Sequence, residues 1–425
     1  MQGRRSLRER LERLDRNPGG RGLSSGLRER LERVWETRPT QGAGQRHPLE
    51  RFVRGSRVPT PAGSVFRAAV CFGSTHRHGR FPLGALERLP GSGLRELFDE
   101  LCGVACPEEI AFLDTETTGL AGGAGTVAFL VGVGRWIPGA RAFQVVQLFL
   151  EDLDREPALL SQLARELAGI RCVVTYNGRR FDVPLLRNRC VINRRPELLD
   201  GAWHLDLLPL SRSLWRLSQP DCRLATLERG VLGVARGHDV PGWEIPSVYT
   251  RYLRLGPDAR LGAVFRHNRL DILSLAGLFW AADRAAQRPA ADEAYGLGLL
   301  RARRRHHSAC EALERCLSGE LPRGARVRAL KELGLALKRQ GRWEEALATW
   351  EELERLAPAD LTAVEEQAKL LEHRLKRPVR ALAVVEEALQ RGVWSPADRK
   401  RLEHRRERLA RKTGPALAGT KTSMR

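Results

Sequence analysis

The chain has 425 residues, enough for two or three domains, and 42% of them are hydrophobic, enough to pack real cores instead of remaining disordered. Its formal charge of +21 comes almost entirely from arginine and points to a polyanionic partner, nucleic acid or an anionic membrane surface, although a general bias toward arginine accounts for part of it. No run of 18 apolar residues occurs and the start, MQGRRSLRER, holds no apolar stretch, so a membrane span and a secretory signal are excluded and the cytoplasm is the expected location.

Residues 1–60 read as an arginine-rich, largely disordered arm in which SLRERLERL (6–14) and GLRERLERV (26–34) form a short amphipathic repeat. Residues 61–108 form a lead-in segment with no clear element. His76 and His78 lie there on a loop, STHRHGRFPLGAL, and are expected to be exposed or hydrogen-bonded and not metal ligands. The eight cysteines are scattered; Cys102 and Cys106 in CGVAC lack a second pair, so reduced thiols are expected.

Between 109 and 283 the pattern is that of one α/β unit. Strands are expected at 110–114, 126–134, 142–150, 172–177 and 204–208, and helices near 155–169, from 181, and at 222–232, 246–255 and 259–283. Three meandering strands followed by alternating α and β describe a mixed sheet flanked by helices. GLAGGAGT (119–126) lacks a P-loop lysine and a following helix, so it reads as a hairpin turn.

Residues 290–395 read as all-α repeats. Leu333, Gly334, Leu337, Gly341, Ala346, Trp350, Leu353 and Pro358 stand at tetratricopeptide spacing. Ala381, Val385 and Ala388 follow about one period later, and Gly298, Ala309, Leu313 and Cys316 precede them. About three helical hairpins follow, a stack that can recruit a protein partner through its concave face. Residues 396–425 read as a basic tail.

The chemistry concentrates in four acids. In AFLDTETTGL, Asp114 and Glu116 are two apart at the end of an apolar strand, so they share a face while Thr115 points away. Two convergent carboxylates repel unless a cation lies between them, and hard ions such as Mg²⁺ or Mn²⁺ prefer such oxygen ligands. YNGRRFDVPLL places Asp182 at a helix start after the Asn177–Gly178 turn; Phe181 before it packs either under a substrate base or in the core, the core being the expected place. HNRLDILSL places Asp271 within an amphipathic helix. Taken singly, each acid reads as a cap or a surface ion pair; together they describe a two-metal site for phosphoryl hydrolysis.

DTETTGL, NGRRFDVPLL and HNRLDILSL resemble, in order, the three exonuclease motifs of the DEDD superfamily, and the match is nearest to the bacterial YprB-type ribonuclease H-like domain. The resemblance covers roughly 105–283 and implies a ribonuclease H-like fold in which Asp114, Glu116, Asp182 and Asp271 bind two Mg²⁺ or Mn²⁺ ions. A further residue prepares the attacking water: a tyrosine four positions before the last aspartate in one branch, a histidine five before it in another. This chain has His267 at the tyrosine spacing and Arg266 at the other, and His267 is the expected base. Thr115, Asn177 and Arg179 are expected beside the substrate, and Asp206 in WHLDLL behind the site. The activity so implied is a 3′–5′ exonuclease acting on single-stranded DNA or RNA. The competing reading is a non-catalytic nucleic-acid-binding scaffold.

Overall fold

The computed structural model describes residues 48–119 and 125–419. Both arm repeats and most of the GLAGGAGT turn lie outside these residues. The chain divides into two compact units, one comprising residues up to 212 together with 219–287, the other 213–218 together with 288 onward.

The first unit is built on a seven-stranded mixed sheet. Its strands are β1 (Ser56–Thr60), β2 (Gly63–Gly73), β5 (Ile110–Thr117), β6 (Ala128–Ile137), β7 (Ala142–Phe149), β8 (Cys172–Thr175) and β9 (Trp203–Asp206), with a short separate ladder of β3 (Arg77–His78) and β4 (Phe81–Pro82). The order is β1-β2-β7-β6-β5-β8-β9, antiparallel from β1 through β5 and parallel from β5 to β9. The central strand β6 is buried along almost its whole length, which is why it reads as a continuous apolar run and not as an alternating one.

Two strands of the sheet, besides the short β3–β4 ladder, went unassigned in the sequence. β1 falls inside the expected arm and β2 inside the lead-in segment, and both differ from the expectation for a physical reason. β1 is an edge strand, carries Pro59 and is largely exposed, and β2 buries only scattered positions, so neither shows a clean period of two. HLDLL divides at Asp206: the strand ends there and Leu207 begins a helix.

The helices of this unit are α1 (Ser92–Leu97), α2 (Glu156–Glu166), α3 (Asp182–Ile192), α4 (Leu207–Leu214), α5 (Leu224–Leu227), α6 (Ile245–Leu255) and α7 (Ala259–Gln287). The helix expected over 222–232 is only the single turn α5, which widens into a π-helical turn at Glu228–Leu232. Such a turn is common where a helix is bent to aim a side chain. Helix α7 packs on β5, β6 and β7. It comes close because β6 carries glycine at 132 and 134: a Cβ on Gly132 would stand 2.3 Å from Asn268 Oδ1, and one on Gly134 would stand 2.4 Å from Ile272. No helix among the described residues is long and apolar enough to cross a membrane.

The second unit is helical: α8 (Ala291–Arg303), α9 (Ala309–Leu317), α10 (Arg323–Arg339), α11 (Trp343–Leu356), α12 (Leu361–Lys369) with a π turn at Leu370–Arg374, α13 (Pro378–Gln390) and α14 (Pro396–Gly419). Successive helices pack on one another, and the residues picked out by the repeat spacing form their core: Leu333, Leu337, Ala346, Trp350 and Leu353 are all buried. Gly334 is needed because a Cβ there would meet the Trp350 ring at 2.5 Å. The segment from 396, expected as a basic tail, forms helix α14. Leu402 and Leu409 are its buried anchors, seven apart on an otherwise charged helix.

Candidate active site

Strand β5 is wholly buried from Ile110 to Leu113 and partly open from Asp114 to Thr117. The apolar half anchors the strand in the core, and the polar half is thereby held rigidly at its end. Asp114 pairs across the sheet with Gly132, and the space left by that glycine admits Asn268. Asn268 Nδ2 donates to Asp114 Oδ2 at 2.8 Å. Asn268 is itself fully buried and held by Gln147 Nε2, which donates to its Oδ1 at 2.8 Å and to Phe265 O at 2.8 Å.

Asp182 opens helix α3, where the unpaired backbone N–H groups of a first turn favour a carboxylate. Thr115, between Asp114 and Glu116 on β5, donates its hydroxyl to Asp182 Oδ1 at 2.5 Å. The turn ahead of α3 is tight. Asn177 adopts a left-handed conformation (φ 62°), and a Cβ on Gly178 would lie 2.3 Å from Thr175 Oγ1. The buried Asp206 holds this turn from behind, accepting from the Asn177 N–H at 2.8 Å, the Arg179 N–H at 3.2 Å and the Leu208 N–H at 3.0 Å. Arg179 therefore contributes its amide to the scaffold while its side chain is exposed. Phe181, expected in the core, is instead 51% exposed, next to Asp182 in the chain.

Helix α7 brings His267 and Asp271 to the same side, four residues apart. His267 Nδ1 meets Asp239 Oδ2 at 2.8 Å, and its Nε2 lies 3.5 Å from Asp271 Oδ2. Arg236 stands at the centre of this arrangement. Its Nε donates to Glu228 Oε2 at 2.7 Å and its Nη1 to Asp239 Oδ2 at 2.9 Å, while its Nη2 binds Asp271. Glu228, at the start of the π turn, also accepts from Ser274, whose hydroxyl contacts His78 Nε2 at 2.8 Å. His78 is thus buried and hydrogen-bonded, and burial, with the nearby Arg236, lowers its pKa to about 4.

The acids singled out in the sequence act on one another through their charges, Asp271 and Asp182 on both Asp114 and Glu116. Burial, then the charges of Asp271, Glu116 and Asp182, raise Asp114 well above the usual carboxylate range, against the opposing hydrogen bond from Asn268. Burial, then Asp271 and Asp182, push Glu116 up to about 8, with Arg236 opposing. Burial brings Asp182 to about 6 despite the Thr115 hydrogen bond. Carboxylates so destabilised in their charged form invite a cation, and the donor set of hard oxygens suits Mg²⁺ or Mn²⁺. Among the described residues, Glu116, His267 and Asp271 present ligand atoms within 4.8 Å of one another.

Sequence reasoning missed Asn268, Glu228, Arg236 and Asp239. Asn268 sits inside a motif already singled out, next to His267. The other three lie in ERGVLGVARGHDV, a stretch with no regular period whose arginines look like the rest of the chain's.

A family model described as the RNase_H superfamily matches residues 111–282. A Bacillus subtilis (strain 168) protein, "Uncharacterized protein YprB", is 33% identical over 359 residues, covering 80% of this chain and 84% of the relative. The matched span contains the whole carboxylate constellation.

Proposed function

Since the chain belongs to the YprB-type ribonuclease H-like family, we propose that it is a metal-dependent nuclease, specifically a 3′–5′ exonuclease hydrolysing single-stranded DNA or RNA. The observation that supports this reading is the cluster of Glu116, His267 and Asp271, whose ligand atoms lie within 4.8 Å of one another, with the charges of Asp271 and Asp182 also bearing on Asp114 and Glu116. Two Mg²⁺ or Mn²⁺ ions held by these carboxylates would acidify a water and neutralise charge on the phosphate. The chain's own groups account for the rest. Asp239 on Nδ1 fixes the ring of His267, leaving Nε2 beside Asp271 to take the proton of the attacking water. Arg236 holds Asp271 and Asp239 together, so acid and base keep one geometry. Asp206 and Asn177 set the turn that aims Asp182, and the exposed Phe181 ring beside it offers a base a stacking surface.

The test is cleavage of 5′-labelled single-stranded DNA and RNA with Mg²⁺, Mn²⁺ or EDTA, alongside the Asp114→Ala protein. A metal-dependent ladder shortening from the 3′ end, absent in the variant, is expected; no cleavage under any condition refutes the reading. A scaffold that binds without cutting is the second reading. Arg236 favours it, because a guanidinium already compensates Asp271 without any metal.

A further inference from the structure

In the helical unit, a cavity of about 790 Å³ opens between α10, α11, α12 with its π turn, and α14, and six lysines and arginines line it. Lys338 and Arg339 come from α10, Lys369 and Arg374 from α12 and its extension, and Arg405 and Arg408 from α14.

Part of this charge is compensated. Glu366 accepts from Lys338 and Lys369, and the buried Glu372 takes Arg408 at 2.5 Å and Lys412 at 3.2 Å. Among the described residues, no carboxylate comes within ion-pairing distance of Arg339, Arg374 or Arg405. The cavity thus keeps three guanidinium groups in excess. A second cavity in the same unit, lined by Glu351, Glu354 and Glu387 as well as Arg355, Arg380 and Arg391, is balanced in sign. The unpaired guanidinium groups therefore set the first cavity apart from the second.

Its floor is apolar and aromatic. Leu335 is 37% exposed, and the Trp343 ring lies beneath the Arg374 guanidinium, 4.9 Å from its centroid. We propose that this groove binds a single-stranded nucleic acid. Planar guanidinium forks match phosphate oxygens in pairs. An aromatic ring among them, which an Arg can leave or share, is a stacking surface for a base. An acidic peptide offers the same charge but no flat π ligand for the Trp343–Arg374 pair. The choice of nucleic acid among anionic partners rests on the nuclease reading of the other unit; the cationic groove itself does not.

The experiment uses the full chain in EDTA, where no cutting occurs, with fluorescein-labelled dT30, U30 and a 20-residue polyglutamate as probes. Arg374→Ala/Arg405→Ala is compared with Arg374→Lys/Arg405→Lys, and circular dichroism checks that both fold. The Ala pair should weaken oligonucleotide binding at least ~10-fold and reduce the slope of log K against log salt by about 1.4, two contacts at about 0.7 each. The Lys pair should retain most of the affinity and the slope. Loss on dT30, U30 or both supports the site and identifies the sugar. Unchanged oligonucleotide affinity and slope overturn it, as does a loss confined to polyglutamate, which would make the groove a protein-docking surface. A wild-type protein that never cuts with Mn²⁺ but binds through the groove refutes the nuclease reading alone. One that cuts while the Ala pair binds normally refutes the groove alone.

Discussion

Replacing Arg236 by methionine keeps the stem of the side chain and removes the only cation that touches Glu228, Asp239 and Asp271 together among the described residues. The Glu228 carboxylate has a side-chain exposure of 1%, so water cannot substitute for the lost guanidinium. Removing one partner of a buried pair costs about 3–5 kcal/mol because the other charge stays buried and unpaired. Glu228 can escape by taking a proton, and its pKa is already raised, first by burial, even with Arg236 in place. A carboxylate raised in the folded state stabilises the fold while protonated and loses that contribution as pH rises through its folded pKa. The Arg236→Met deficit should therefore be small near pH 5 and approach about 3–5 kcal/mol at pH 8. Urea unfolding in EDTA, followed at both pH values by a probe in the sheet unit, measures it. Arg236→Met/Glu228→Gln should recover most of the loss at pH 8. A deficit below about 1 kcal/mol at pH 8, or one independent of pH, would refute the reasoning, since it would mean that Arg236 acts as an ordinary surface ion pair.

Asp114→Ala and Asp271→Ala should each abolish Mn²⁺-dependent cleavage while leaving binding of a labelled oligonucleotide in EDTA nearly unchanged; full activity in either excludes their role as metal ligands. His267→Ala should slow cleavage by about 10²-fold or more at saturating metal, and an unchanged single-turnover rate reduces the histidine to a structural residue. Because Glu116 lies near 8 in the metal-free protein, stability in EDTA should fall as pH rises from about 4.5 to 8. Over that same range Mn²⁺ should become increasingly stabilising and release protons on binding, which calorimetry in buffers of different ionisation enthalpy detects. Phe181→Ala should weaken single-strand binding by about 1–3 kcal/mol if a base stacks there, measured by fluorescence anisotropy.

The alternation of IAFL with Asp114 and Glu116, the Asn177–Gly178 turn before Asp182, and the apolar face around Asp271 are local patterns. Each depends on residues within a turn or a strand of one another, so their elements and their acids were legible from the chain alone. So were the helical pairs after 290, where Gly334 and Trp350 mark a close contact whose geometry their spacing encodes. The edge strand β1 and its neighbour β2 were not legible, because β1 is largely exposed and β2 buries only scattered positions, which leaves no period to read. Nor was the exposure of Phe181, which runs against the residue's own hydrophobicity.

The network behind the acids belongs wholly to the tertiary structure. Arg236 and Glu228 are eight residues apart, but Asp271 is 35 residues from Arg236, and Asn268 is 154 from Asp114. Nothing in a composition rich in arginine distinguishes one guanidinium from the others; only the folded chain buries this one among carboxylates. By itself the sequence determined which side chains can hold a cation and on which elements they ride. Packing decided which of them meet: glycine at 132 lets α7 approach the sheet, and the fold brings Arg236 against Asp271 and Glu228.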